Sequence, residues 1–252
     1  MRVRLITMGL VLFFLTSSAF ALIGPPTASL DKGQWGAGAN YRYTSQDLDQ
    51  IKGHGYEDFN INRYYGQLGY GLADNWELYG QLGMADIKLN IIEINDEVNG
   101  YNFDNDILYG LGTKYTFAKK EKADWGAALQ VNMLTGSWSD SYTQDDGGGG
   151  TETVKATYDI DAMEITLAVG PTVDMGGWKL YGGALYSLLS FDGDYKLTGS
   201  DWVWTASGDG DTDNFGGYIG AQFGILQNCN MAIEFLGTNN GWGAGAGIEI
   251  PF

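Results

Sequence analysis

From Trp35 onward the side chains alternate between two chemistries with a period of two. In Trp35-Gly36-Ala37-Gly38-Ala39-Asn40-Tyr41-Arg42-Tyr43 the odd positions are aromatic or Ala, and the even ones are Gly, Asn or Arg. Successive side chains of a strand point to opposite faces, so this segment has one apolar and one polar face. The pattern recurs with Tyr64, Leu68, Tyr70 and Leu72 set against Arg63, Tyr65 and Gln67, and with Trp76, Leu78, Leu82 and Met84 against Glu77, Tyr79 and Gln81. A fourth segment sets Ile107 to Phe117 against Gly110, Gly112 and Lys114; a fifth sets Trp125 to Met133 against Gly126, Gln130 and Asn132. Met163 to Val169 oppose Glu164 and Thr166, and Trp178 to Leu188 oppose Lys179, Tyr181 and Ser187. Three closely spaced segments finish the chain, at Phe215 to Ile225, Met231 to Phe235 and Trp242 to Phe252.

Apolar-out, polar-in alternation in segments of about ten residues is the pattern of a strand that spans a membrane in a closed sheet. The expected fold is all-β, a closed antiparallel up-and-down transmembrane β-barrel of ten strands, with eight as the alternative if the last two segments are not a hairpin. Connection lengths agree. The even-numbered ones are short, at Ala73-Asp74, Ala118 to Asp124, Asp174 to Gly177 and Leu226 to Asn228. The odd-numbered ones are long, roughly 45–58, 89–105, 137–157 and 191–213, with Thr238 to Asn240 the exception. Short turns on the periplasmic side and long loops outside place both termini in the periplasm.

Tryptophan adds a height marker. Trp35, Trp76, Trp125 and Trp178 stand at the starts of strands one, three, five and seven, all on the apolar parity. They are expected to form an aromatic girdle at one membrane interface. Before these strands, Arg2 and Arg4, the apolar run Leu5 to Leu15 and Ala19-Phe20-Ala21 read as a signal peptide over residues 1–21, too short for a helical span. Residues 22–252 are then the barrel domain.

Charge narrows the partners. Fourteen Lys and Arg face 31 Asp and Glu, a net −17, and loss of Arg2 and Arg4 with the leader makes the mature chain more negative. Nucleic acid is excluded as a partner for such a field. One cysteine, Cys229, rules out an intrachain disulfide and reads as a small buried hydrophobe.

The inward parity collects Arg42, Arg63, Lys114 and Lys179 with Glu77, Glu164, Glu234 and Glu249. Equal numbers of each sign predict a paired lumen charge network, which a narrow barrel tolerates where a lone charge is costly. The inward glycines, among them Gly36, Gly38, Gly110, Gly112 and Gly220, leave room for water or for Tyr65, Tyr79, Tyr181 and Tyr218 folding over bare backbone. The first choice predicts a narrow polar pore and the second a plug; a wide diffusion pore needs about 16 strands.

The expected outer loops are acidic. Asp140 to Glu152 contains the tract Gly147 to Gly150, a flexible composition. Asp209, Asp211 and Asp213 could present carboxylates to Ca²⁺, although Asn214 and Gly220 stand where a calcium loop wants Gly and Glu. Divalent ions could also bridge such loops to lipopolysaccharide phosphates. Trp202 and Trp204 share a strand face and suit an adhesive patch or packing within the loop. The one histidine, His54, lies in a glycine-flanked loop segment, and Ser45 has no fixed geometry to it; no catalytic residue and no cofactor are expected beyond the loop-bound Ca²⁺. Lys119, Lys120 and Lys122 make the second periplasmic turn basic, a possible contact for a partner protein.

A chain ending in Phe252 after an alternating strand resembles bacterial outer-membrane barrels, whose terminal aromatic is an assembly signal read by the barrel-assembly machinery. In general character it resembles small barrels of the opacity, outer-membrane protein A and outer-membrane protein W type, which are usually eight-stranded. Ten strands would fit the omptin proteases, but that family requires an Asp-x-His pair, and position 52 is Lys. The resemblance implies an outer-membrane location, lipid and lipopolysaccharide as surroundings, and no ligand site. The expected function is a non-enzymatic surface scaffold, adhesin or membrane-organising protein with a largely plugged lumen. The alternative is a narrow channel for water, ions or small solutes, and a hydrolase is the remote one.

Overall fold

The computed structural model describes residues 23–48, 57–92, 98–145, 150–226 and 228–252. The expected leader and His54 lie outside these. Ten strands follow one another: β1 (Trp35–Leu48), β2 (Glu57–Ala73), β3 (Trp76–Ile92), β4 (Val98–Ala118), β5 (Ala123–Asp145), β6 (Thr151–Asp174), β7 (Trp178–Thr198), β8 (Val203–Leu226), β9 (Cys229–Thr238) and β10 (Gly241–Pro251).

Each strand pairs antiparallel with its sequence neighbours, and β1 closes the ring on β10 from Gly36↔Pro251 to Gln46↔Gly241. In an up-and-down ring the first and last strands run antiparallel only if the count is even, so ten closes with one ladder type throughout. The seam is tied at its end: Trp35 N–H donates to the Phe252 carbonyl at 3.1 Å, and Phe252 N–H donates to the Trp35 carbonyl at 2.8 Å. β9 and β10 are a true hairpin, registered from Gly241↔Thr238 to Glu249↔Asn230, so the eight-strand alternative does not hold.

Alternation sorts the side chains as the sequence pattern requires. Outward Leu82, Leu111 and Phe215 are 67%, 72% and 65% exposed. Inward Tyr79, Gln81, Lys114, Gln130 and Glu164 are buried. A one-residue slip in any register would exchange the two sets, so the apolar belt and the polar interior jointly fix the pairing. No described helix is long and apolar enough to cross a membrane.

The long acidic loops expected from the sequence are largely strand. β5, β6 and β8 run for 23, 24 and 24 residues against 10 and 11 in β9 and β10. A tilted strand crosses a bilayer in about 9–11 residues, so β5 to β8 project far beyond the belt. Outward apolar residues stop at Met133, Met163, Leu188 and Phe215, and Ser, Thr and Asp follow. Outside lipid the outward face has no reason to be apolar, and the alternation that marks a spanning strand fades while the ladder continues.

The projecting part is divided. β4 pairs with β5 only from Ile107↔Thr135 toward the short-turn end, and β8 with β9 only from Gly216↔Thr238. Beyond those points β5 to β8 form one sheet and β1 to β4 another. Where the ring divides, Ile61, Ala85, Ile87 and Leu108 of β2 to β4 pack with Leu134, Ile160, Ala162 and Leu189 of β5 to β7 in one apolar cluster, Leu108 and Leu134 being the last inward pair of the β4–β5 ladder. Trp138, Tyr158 and Phe191 pack against it.

Candidate functional site

The lumen is filled in three layers. Nearest the short turns lies a segment absent from the sequence expectations, Ile23 to Gln34, which folds back inside the barrel as a strap. Ile23 and Gly24 donate their N–H groups to the two oxygens of Glu234 at 3.1 and 3.0 Å. Pro25 and Pro26 have no N–H to satisfy. The hydroxyls of Thr27 and Thr172 meet at 2.9 Å, and Ala28 N–H donates to Thr116 Oγ1 at 3.0 Å. Ser29 N–H donates to Glu77 Oε2 at 2.9 Å, and the Ser29 hydroxyl lies 3.0 Å from Glu77 and 3.2 Å from Glu249.

Wall glycines make the strap possible. A Cβ on Gly36 or Gly69 would meet the Leu30 side chain, one on Gly126 the Pro26 carbonyl, and one on Gly71 the Asp31 carbonyl. Leu30, Ile23 and Pro26 are consequently buried. The strap leaves the lumen at the short-turn end, where Gly33 N–H donates to the Gly71 carbonyl and Gly71 N–H to the Gln34 carbonyl, at 2.8 and 2.9 Å.

The middle layer is polar. Arg63 of β2 donates to Glu164 of β6 at 2.6 Å, and Arg42 of β1 reaches the other Glu164 oxygen at 3.5 Å, so two guanidinium groups converge on one carboxylate. Beside them Gln81 donates to Gln67 at 3.0 Å, Gln130 to Gln81 at 3.1 Å, and the Tyr79 hydroxyl to Gln130 at 3.2 Å. Glycines again supply the room: a Cβ on Gly112 would run into the Tyr79 ring, and one on Gly220 into the Tyr181 ring. The tyrosine rings take that space. The third layer is the apolar cluster at the level where the ring divides.

The eight inward charges do not pair as equals. Lys114 lies 3.9 Å from Glu77, Glu164 takes both arginines, and Glu234 and Glu249 are met by the strap. Lys179 is not among the close ion pairs of the described residues. It is exposed at the short-turn mouth, opposite Asp174, because inward parity at the end of a strand faces open solvent.

A space lined by Ile23, Gly24, Pro25, Lys114, Gln222 and Glu249 measures ≈ 30 Å³, room for about one or two waters. A larger concavity, ≈ 910 Å³, opens at the apolar belt around outward Gly66 and Gly80, rimmed by Leu68, Leu82, Leu111 and Met133, and reaches the wall at Gln67 and Gln81.

On the surface, Trp35, Trp76 and Trp125 are exposed and Trp178 is half-buried, its ring stacked on Phe223 at 5.8 Å. The four stand at the short-turn ends of their strands. Phe252 is exposed at the seam. Cys229 is a free thiol at the start of β9, half-buried rather than in the core. Lys119 donates to the Asp74 carbonyl at 3.1 Å, while Lys120 and Lys122 are exposed. Trp202 donates to Glu152 at 3.0 Å, and Trp204 meets Tyr195 edge-on at 6.0 Å, so both are engaged within the projecting sheet.

Asp209, Asp211 and Asp213 lie in β8, not in a loop. At two residues per repeat they stand about 7 Å apart along one strand face, too spread to converge on one ion. Among the described residues no group of three His, Cys, Asp or Glu side chains is placed to hold a metal. Asp209 instead pairs with Asp192, and Asp192 with Asp161, a row of carboxylates across three strands.

No protein-family model matches this chain, and no curated protein matches it. Among solved structures it is similar to the outer membrane protease OmpT from Escherichia coli, with a TM-score of 0.50 and 10% identity over 90% of this chain and 99% of that one. It is also similar to the translocator domain of the autotransporter NalP from Neisseria meningitidis, with a TM-score of 0.51 and 12% identity over 89% and 90% of the two chains. At such identities the likeness is one of fold. The shared fold is that of bacterial outer-membrane β-barrels, and these two include a protease and a translocator, so fold alone selects no activity.

Proposed function

We propose that this chain is a non-enzymatic, non-conducting outer-membrane barrel that displays a β-sheet platform at the cell surface, as a scaffold or adhesin. The observation that carries this reading is the three-layer filling of the lumen: the strap, the Arg42, Arg63 and Glu164 layer, and the apolar cluster beyond it. A conducting barrel needs a continuous wet path, and an apolar plug at one end removes it. Both termini then face the periplasm, the four tryptophans mark the periplasmic interface, and β5 to β8 project outward among lipopolysaccharide. Phe252 serves the assembly machinery as its terminal aromatic. The acidic surface row adds a loose affinity for divalent ions shared with lipopolysaccharide phosphates.

Liposome swelling tests the seal. Vesicles carrying the refolded barrel are expected to swell in a small sugar no faster than protein-free vesicles. Swelling that scales with protein content would overturn the reading. Orientation is checked by epitopes inserted at Ser200 and at Glu121: the first should be labelled on intact cells and the second only after permeabilisation.

A further inference from the structure

We infer that the inner wall at the short-turn end is a binding site for an extended peptide, and that Ile23 to Asp31 occupies it as an exchangeable intramolecular ligand. This goes beyond the sealed-scaffold reading and does not depend on it.

The strap is held by the wall but is no part of it. The ten strands close their ladder without it. From Ile23 to Ser29, its hydrogen bonds to the wall run to side chains: Glu234, Thr116, Thr172, Glu77 and Glu249. Withdrawing it breaks no strand pairing and leaves a trough with a bare-backbone floor at Gly36, Gly69 and Gly126.

That trough has a definite chemistry. Two carboxylates, Glu77 and Glu234, are buried and aimed at backbone N–H donors. Between them lies a stretch where the bound chain offers no N–H, matched by Pro25 and Pro26. The recess at Leu30 takes an aliphatic side chain. The ligand class is therefore an extended, proline-containing peptide with small side chains and an aliphatic anchor, entering from the short-turn end.

One position acts as the latch. Gly24 has φ +70°, a left-handed conformation that β-branched residues strongly avoid, and a Cβ there would lie 3.2 Å from Lys114 Nζ. Gly24→Val should expel the strap and replaces no wall residue. Glu77→Gln with Glu234→Gln should weaken it by removing two charge-assisted acceptors.

The test uses the full chain with Cys229→Ser and a reporter cysteine at Ala28→Cys, read by a polar thiol reagent. The reporter is expected to be protected, and Gly24→Val or the double Gln variant to raise its labelling rate at least about tenfold, the equivalent of about 1.4 kcal/mol. A fluorescent peptide of residues 23–31 is then expected to bind the Gly24→Val variant, whose wall carboxylates are intact, saturably and the parent chain not at all. A parent reporter as reactive as in unfolded protein, protection that survives both variants, or a released strap with no peptide binding would each overturn the inference.

Discussion

Arg63 and Glu164 meet at 2.6 Å across the lumen, from strands on opposite walls of the ring, and Arg42, the cross-strand neighbour of Arg63, reaches the other oxygen of the same carboxylate. The contact ties β1, β2 and β6 together through the centre. Breaking a buried pair by removing one partner typically costs about 3–5 kcal/mol, because the remaining charge is stranded. Glu164→Gln strands two guanidinium groups and should cost the most. Arg63→Gln should cost less, since Arg42 still faces the carboxylate. Urea unfolding in detergent micelles measures this; equal midpoints for parent and Glu164→Gln would show that the layer does not hold the barrel.

Gly220 is the bare-backbone seat of Tyr181. Gly220→Ala puts a methyl group where the ring lies and should destabilise by about 1–3 kcal/mol through overpacking. Combining it with Tyr181→Leu should return most of that loss, since the smaller side chain vacates the site. A double variant as unstable as the sum of the two single changes would argue against ring-over-glycine packing.

The edge of the apolar belt is also testable. Leu111 is 72% exposed within the belt, whereas Val203 is 60% exposed at the far end of β8. Arg at position 111 should cost about 2–4 kcal/mol on refolding into bilayers, the range for a lipid-facing charge near the midplane. Arg at position 203 should change stability by less than about 0.5 kcal/mol, as an ordinary surface substitution. Similar penalties at both sites would mean that β8 does not leave the membrane where Phe215 ends the belt.

The carboxylate row Asp161, Asp192 and Asp209 places like charges directly opposite one another. Such pairs are destabilising by about 0.2–1 kcal/mol. Asp192→Asn, which removes the central charge, should therefore raise stability by that order. High salt should erase the gain by screening the exposed pairs. A stabilisation that persists at 1 M salt would need another cause.

The spanning part of this fold is plain in the sequence because lipid and a packed interior impose opposite chemistry on alternate residues. Strand limits near Trp76 or Trp178 are marked for the same reason. The projecting strands are not marked in that way. Ser137, Ser139, Asp159 and Asp192 face water, and the β-forming residues left around them, such as Tyr158 and Val154, indicate strand without giving a register. The strap left no periodic trace, since Ile23 to Gln34 is a short run of small residues and two prolines ahead of the first alternation. Four inward charges of each sign looked balanced, yet two arginines share Glu164 and Lys179 is exposed, so Glu234 and Glu249 needed donors from elsewhere in the chain. Local pairing, not the total, decides whether a buried carboxylate is satisfied, and no count along a sequence shows it.

The sealed lumen is the centre of this account, and single-channel recording across a planar bilayer addresses it most directly. Refolded barrel at high protein loading is predicted to give no conductance steps. Reproducible steps in the parent chain whose amplitude shifts with Glu164→Gln would place that carboxylate beside a wet path and contradict the account.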